Sequence, residues 1–259
     1  MGNRPSQKDS YDAHLRPHGS ELLEVWPGRV WVLEGSLPYP LPRNMVIYRQ
    51  KNGKLLVYSA IACEERVREE ILALGEIEVL VIPSAHHTMD AAVFREKLCP
   101  SAALACPRSI RSRLEDKGFR DLVSVEDFCE AYEAEGMPAG GEATLVFDLD
   151  DDKKALVFCD LLFNLTKPAP GFFNRFVASH IFGSQGPLHV TSFGRRFIVE
   201  DAPKLARWLK TTLPDAVLNE NPNASIALIL VAHGDPIVDQ DCRRYLNLAA
   251  ERLLANRNE

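Results

Sequence analysis

Three apolar segments of the sequence end in side chains that can bind a metal ion. They are EVLVIPSA before His86 and His87, KALVFC before Asp160, and SIALILVA before His233. Imidazole nitrogens and a carboxylate oxygen are sufficient ligands for one zinc or iron ion, and they leave a position open for water. The residue types therefore predict a mononuclear metal site, provided that the three segments end close together.

Apolar strands that alternate with helices would have to position these residues. In open α/β sheets, ligands bind in the loops beyond the carboxyl ends of the strands. If the three strands are parallel neighbours, His86, Asp160 and His233 converge at one edge. Each residue also has a purely structural interpretation: a histidine bonded within its loop, an aspartate that caps the next segment, or a turn at His233-Gly-Asp-Pro. The pattern leaves both interpretations open.

The order of elements predicts one α/β domain over residues 21–259 after a flexible tail over residues 1–20. Pro27-Gly28 and Asn52-Gly53 each join two strands in a hairpin. The acidic cluster at residues 148–152 reads as another hairpin turn rather than a calcium loop. Amphipathic or capped segments predict helices at residues 63–75, 90–98, 107–118, 171–183, 200–213 and 239–255. The domain would then contain two sheets with helices outside them.

Composition narrows the classes of function. The chain has 259 residues, a formal net charge of −6 and a pI near 5.7, so a nucleic-acid partner is not expected. No apolar run reaches the length of a membrane span, and the polar start lacks a signal core. The six cysteines show no C-x-x-C pair, which is typical of reduced, buried thiols. A cytoplasmic protein with a small-molecule substrate or ligand is the expectation.

The segments, taken in order, resemble the metallo-β-lactamase fold superfamily. The resemblance is carried by the opening strand pairs, the strand–histidine loop–helix unit, CDLLFN and the late VAHGDP, and it covers about Glu21 to Leu253. It implies a four-layer αβ/βα sandwich: two mixed β-sheets with helices on the outer faces. It also implies a metal site at one edge, between the two sheets.

The metal motifs of that superfamily are degenerate in this chain. Where active members carry H-x-H-x-D-H, the sequence reads Ser84-Ala85-His86-His87-Thr88-Met89. Glycine stands where a later histidine belongs, in the turn Gly136-Met137-Pro138-Ala139-Gly140-Gly141, and Tyr58-Ser59-Ala60 replaces a strand end near D-T-G. Asp160 matches the bridging aspartate and His233 the last histidine. About half of the ligand positions survive, where a dinuclear hydrolase needs nearly all.

Two functions remain open on this resemblance. A single zinc or iron ion held by His86 or His87, Asp160 and His233 would make a hydrolase of an ester, thioester or phosphoester, with Asp90 and Asp235 as additional candidate ligands. Alternatively, the chain keeps the fold without metal as a non-catalytic binding or interaction module. A redox protein with non-haem iron is a third hypothesis, and the missing ligands count against it too.

The other polar residues have structural explanations. His180 is expected to pack in an aromatic helix. The alternative is that this helix covers the pocket. A surface loop is expected for His189 and Arg195-Arg196, with a pocket wall that binds an anion as the alternative. His14 and His18 fall in the tail. No serine or cysteine has a base that is visibly paired with it in the sequence, so covalent catalysis finds no support.

Overall fold

The structure is a computed structural model that describes residues 11–16, 21–38, 41–167, 183–219, 221 and 223–255. Its strands are β1 (Leu23–Trp26), β2 (Val30–Ser36), β3 (Pro42–Arg49), β4 (Leu55–Tyr58), β5 (Ile77–Val81), β6 (Ala103–Cys106), β7 (Leu122–Ser124), β8 (Glu130–Glu133), β9 (Ala143–Asp150), β10 (Lys153–Phe158), β11 (Phe163–Leu165), β12 (Gly186–His189), β13 (Ser225–Val231) and β14 (Ile237–Val238). Its helices are α1 (Glu65–Leu74), α2 (Ala91–Leu98), α3 (Arg111–Asp116), α4 (Ser192–Phe197), α5 (Ala202–Arg207), α6 (Leu213–Leu218) and α7 (Arg243–Ala255).

The strands form two large sheets and one small sheet. The first has the order β1-β2-β3-β4-β5-β6-β7, antiparallel as far as β4 and parallel from β4 to β7. The second has the order β14-β13-β10-β9-β8, in which only β10 and β13 are parallel. A two-stranded sheet of β11 and β12 completes the set. Both large sheets are therefore mixed, as predicted.

Successive side chains of each central strand point to opposite faces of its sheet and therefore pack into different layers. In β4, Leu55 and Val57 face a core shared with α1, α2 and α3, while Leu56 and Tyr58 face the space between the two large sheets. Strand β10 alternates in the same way between that space and a core shared with α5 and α7. Side chains on both faces are buried because each sheet is covered on both sides. The four-layer αβ/βα sandwich is confirmed.

Turn chemistry explains the hairpins. Gly28 and Gly53 have φ values of 66° and 84°, a region that glycine enters without the steric cost of a Cβ atom. The hairpins β1–β2 and β3–β4 and the acidic β9–β10 turn are confirmed. The strands that the sequence does not predict, namely β7, β11, β12 and β14, have only two to four residues. Such short strands carry too little periodicity to be recognised.

Three helices differ from their predicted extents, and the last of them, expected at residues 239–255, begins only at Arg243 as α7. The helix expected at residues 107–118 begins with a 3₁₀ turn, Arg108–Ile110, and only then continues as α3. The helix expected at residues 200–213 runs through a π-helical turn, Trp208–Thr212, and ends with α6 at Leu218. The helix predicted at residues 171–183, with His180, lies outside the described residues except for Gly183. Within the described ranges, no helix has both the length and the apolar character that crossing a bilayer requires.

Residues 11–16 pack against the domain, in contrast to the loose tail that the sequence predicts. Tyr11 is buried, and its hydroxyl donates to the carbonyl of Cys63 at 3.2 Å and accepts from the same residue's N–H at 3.0 Å. His14 contacts the carboxylate of Asp90 at 2.9 Å. The hydrogen-bond partners of this segment are distant in sequence, so the composition of the segment itself did not predict that it packs against the domain. His18 and the rest of residues 1–10 and 17–20 lie outside the described residues.

Candidate metal centre

The loop after β5 directs only one of its two histidines inward. His87 N–H donates to the carbonyl of Ser84 at 3.1 Å, and His86 N–H donates to the Ser84 hydroxyl at 3.2 Å. This tight turn points the two adjacent side chains in different directions. His86 is exposed, and His87 lies against Asp160. The sequence does not decide between His86 and His87. In the structure, His87 is the residue whose side chain reaches Asp160.

Asp160 lies at the end of β10 and is the centre of the cluster. Its Oδ1 atom lies 3.1 Å from Nε2 of His87 and 3.2 Å from Nε2 of His233. The carboxylate of Glu142 fixes the backbone at this point, because it accepts the N–H of Cys159 at 2.9 Å and that of Asp160 at 2.5 Å. The side chain of Asp160 remains 32% exposed. The cluster is therefore open to solvent on one side.

The convergence arises between the sheets rather than within one. Strand β5, which precedes His87, belongs to the first sheet, whereas β10 and β13, which precede Asp160 and His233, are parallel neighbours in the second. The condition that all three strands are parallel neighbours in one sheet is therefore not met, and the residues lie at an edge between the two sheets, where the resemblance places the site. Their carboxyl ends still meet, because the two sheets face each other and the loops bridge the gap.

His233 is oriented by its other ring nitrogen. Its Nδ1 lies 2.6 Å from the carbonyl oxygen of Pro42, which can only accept, so Nδ1 carries the proton. In the neutral ring, Nε2 then directs its lone pair at Asp160. The ring stacks on Phe163 at 4.5 Å between centroids. An N–H held by a backbone carbonyl is the usual arrangement of histidines that bind metal through the opposite nitrogen.

His87 has a comparable partner in Ser59. The Ser59 hydroxyl lies 3.0 Å from Nδ1 of His87, and Ser59 has a φ of 55°, which is uncommon for a residue other than glycine. The sequence shows no serine paired with a base, and the structure corrects this expectation, since Ser59, His87 and Asp160 form one hydrogen-bonded chain. Ser59 is only 4% exposed. A serine so buried can orient His87 but is poorly placed to attack a substrate.

The charges of the cluster shift its pKa values. Burial raises the pKa of Asp160, but the charges and hydrogen bonds of His87 and His233 outweigh burial and hold that pKa well below its usual range. Burial lowers the pKa of His87, and the Asp160 carboxylate raises it by more, so the net shift is upward. Burial and the charge of Asp160 raise the pKa of Glu142 to about 7. The cluster holds its negative charge on Asp160.

The donor atoms fit a single ion. One ligand atom from each of His87, Asp160 and His233 lies within 4.8 Å of the others. Four tetrahedral ligands at about 2.0–2.1 Å from zinc lie about 3.3 Å from one another, close to the 3.1 Å and 3.2 Å between Asp160 and the two imidazoles. Two nitrogens and one oxygen suit zinc or iron. Asp160 leaves an open side for a further ligand.

The other candidate ligands lie elsewhere. The Asp90 carboxylate is fully buried and bonded to Arg43, His14 and the N–H of Ala62, so it neutralises a buried cation away from the cluster. Asp235 bonds to Thr166 at 2.6 Å and to Lys167 at 2.8 Å at the surface. Neither residue joins the cluster.

Two residues of the site were not predicted from the sequence. Glu142 directly follows Gly140-Gly141, the turn in which the resemblance expects a ligand, so an acid at its end was a usable signal. Ser59 lies in Tyr58-Ser59-Ala60, the segment that replaces the strand end near D-T-G. The carbonyl of Pro42 offered no signal, because a backbone atom leaves no trace in side-chain patterns. Among the described residues, the His189 ring contacts the carbonyls of Pro187 and Gly183, and His189 is not part of the cluster.

The solved structures that are similar to this chain include metallo-β-lactamases. No protein-family model and no curated sequence matches the chain. The structure of DIM-1 metallo-β-lactamase exposed to ceftazidime is similar with a TM-score of 0.56 and 12% identity, covering 92% of this chain and 99% of that chain. VMB-1 gives 0.55 and 9%, covering 92% and 98%, and TMB-1 gives 0.53 and 13%, covering 92% and 99%. At such identities the likeness concerns the fold alone, and this chain has the metallo-β-lactamase fold.

Proposed function

We propose that this protein is a metal-dependent hydrolase that holds a zinc or iron ion with His87, Asp160 and His233. Its substrate would be a small ester, thioester or phosphoester, and its location the cytoplasm. The supporting observation is the meeting of three ligand atoms, from loops distant in sequence, around one partly exposed carboxylate. The proposed hydrolase function is also consistent with the fold, which this chain shares with a protein named a metallo-β-lactamase.

The residues of the chain would hold and orient the ligands. Pro42 keeps the proton of His233 on Nδ1 and Ser59 can accept that of His87, so both Nε2 atoms are free to bind. Glu142 fixes the backbone that carries Asp160. When bound, an ion of this kind lowers the pKa of a coordinated water or polarises a carbonyl or phosphoryl oxygen. The exposed side of Asp160 gives a substrate access to the cluster.

A non-catalytic binding module is the second candidate, and one observation favours it. Without an ion, Asp160 accepts from Nε2 of His87 and, when the His233 ring carries a proton on both nitrogens, from Nε2 of His233, while Ser59 and Pro42 satisfy the remaining ring nitrogens. The polar groups thus satisfy one another. Such a self-contained cluster is sufficient for folding, and it provides no turnover on its own.

Hydrolysis assays on the full chain separate the two candidates. Zinc-loaded protein is expected to cleave at least one chromogenic ester, thioester or phosphodiester, to lose activity to a chelator and to regain it with added zinc. The variants His87→Ala, Asp160→Asn and His233→Ala should each lose more than about 100-fold, the upper range for partners that only support a ligand. His86→Ala, which removes the exposed neighbour, should retain the activity within about twofold.

Two results would contradict the hydrolase. One is activity that is insensitive to the chelator or reduced equally by His86→Ala and His87→Ala. The other is a protein that cleaves none of the three substrate classes, and the binding module is favoured when that protein also holds no ion.

A further inference from the structure

Two positively charged side chains of one helical segment lie beside the metal centre. Arg113 belongs to α3, and Lys117 directly follows that helix. They are four residues apart, the spacing at which side chains of a helix share a face. Neither residue belongs to the cluster of ligand atoms or to the groups that orient it. Their contacts show where this face of the helix lies.

Lys117 reaches the loop that carries His87. Its ammonium group donates to the carbonyl of Ala85 at 2.5 Å. Ala85 is two residues before His87, and two residues of chain span at most about 7 Å. Lys117 is exposed, and an ammonium group has more N–H donors than this one contact uses. The positive charge of Lys117 is therefore accessible to a bound group beside the metal centre.

Arg113 lies against the turn that precedes Glu142. Its guanidinium carbon is 3.8 Å from the position that a Cβ atom would take at Gly140, and Gly140 is two residues before Glu142. Because residues 140 and 141 are both glycine, this turn has no side chain of its own that could cover the guanidinium group. Arg113 is also exposed. The second positive charge thus borders the other loop that supports the cluster.

No carboxylate neutralises these two charges within the described ranges. Neither Arg113 nor Lys117 forms an ion pair there, although Glu115 and Asp116 lie on the same helix. Like charges four residues apart on a helix repel each other and destabilise it. An anion bound between the two side chains would remove that repulsion. The arrangement therefore favours the binding of an anion.

The chemistry of the two groups indicates the kind of anion. The planar guanidinium group of an arginine binds the two oxygens of a carboxylate or a phosphate at once, and a lysine adds a compact point charge. Asp160 keeps its negative charge and would repel a negatively charged substrate that approaches the cluster. Arg113 and Lys117 offset this repulsion, because they border the same cluster.

We propose that Arg113 and Lys117 form a binding site for an anionic group of the substrate, a carboxylate or a phosphate. The inference rests on the proposed function and narrows it: the molecule that is cleaved carries this anionic group apart from the bond that reacts. The group binds to the face of α3 while the reacting bond lies at the metal centre. The two residues therefore determine specificity and take no part in bond cleavage.

Binding of inorganic phosphate to the metal-free full chain tests the site without turnover, and removal of the ion excludes phosphate that binds to metal. In isothermal titration calorimetry, the wild type is expected to bind one phosphate. Arg113→Ala and Lys117→Ala should each weaken this binding by at least about tenfold, the loss of a charge-assisted hydrogen bond. Arg113→Lys keeps the charge without the fork and should lose less. Arg207→Ala and Lys210→Ala, which remove exposed cations from the helical layer of the second sheet, should bind as the wild type does.

Kinetics of the zinc-loaded chain connect the site to the substrate. The assay compares two para-nitrophenyl esters of equal length, one that ends in a methyl group and one that ends in a carboxylate. Arg113→Ala and Lys117→Ala should raise KM for the carboxylate ester by at least about tenfold and leave its kcat unchanged. The uncharged ester should be cleaved as by the wild type. The zinc content should also be unchanged, since neither residue is a ligand.

The outcomes separate this inference from the proposed function. Absence of phosphate binding in the wild type, or equal weakening by Arg113→Ala and Arg207→Ala, overturns the anion site. Cleavage of both esters with the same KM also overturns it and leaves the hydrolase intact. Phosphate binding with the expected losses, in a protein that cleaves neither ester, supports the anion site and counts against the hydrolase.

Discussion

Replacing Asp90 by alanine is expected to destabilise the folded protein by about 3–5 kcal/mol. The change removes the partner of Arg43, a side chain that is itself almost fully buried, and leaves the guanidinium charge uncompensated. It also removes the acceptor of the Ala62 N–H and the contact with His14. Urea unfolding followed by circular dichroism measures the loss.

Two further variants identify the cause. Replacing the pair together, as Arg43→Met with Asp90→Leu, should recover most of the lost stability, because it removes both buried charges. Asp127→Ala breaks an aspartate–arginine contact of 3.6 Å at the surface and should cost less than about 1 kcal/mol. If Asp90→Ala costs no more than Asp127→Ala, the buried pair does not anchor this part of the fold.

Gly234→Ala is expected to cost more than about 4 kcal/mol, in the range of exceptional substitutions. Gly234 has a φ of 116°, and a Cβ atom there would lie 2.1 Å from the carbonyl oxygen of Asn164 and 2.4 Å from its carbon. The backbone cannot move away easily, since Asn164 bonds to His233 and Asp235 on either side. The substitution should also weaken zinc binding, because His233 is the adjacent residue.

Gly118→Ala is the matched control. Gly118 has a φ of 93°, and no atom lies within 4 Å of the position that an added methyl group would take, so only the backbone strain of about 1–2 kcal/mol remains. The difference between the two losses in urea unfolding measures the close approach of the Gly234 loop to Asn164. Equal losses at the two glycines would show that this approach is absent.

The fold could be predicted to a large extent because its signals are local. Asn52-Gly53 marks a hairpin, and the acids at the start of α1 with Gly75 at its end mark a helix. Apolar strands followed by polar residues mark the edge at which ligands gather. The resemblance then supplied the arrangement of layers, which periodicity alone cannot determine.

The site was harder to predict, because it depends on contacts between distant residues. His86 and His87 differ only in the direction that one turn gives them, and that turn depends on Ser84. Asp90 looked like a ligand from its place in the loop, yet Arg43 and His14 occupy its carboxylate. Such pairings leave no local pattern, and neither does the support that Glu142 gives to Asp160.

Metal analysis of the purified protein tests the central claim most directly. The full chain is prepared without chelators and without a histidine tag, beside Asp160→Ala, His233→Ala and the control His86→Ala. Wild type and His86→Ala are expected to carry at least one equivalent of zinc or iron, and the other two variants only a small fraction of it. Substoichiometric metal in the wild type, unchanged by Asp160→Ala and by His233→Ala, would contradict the metal centre.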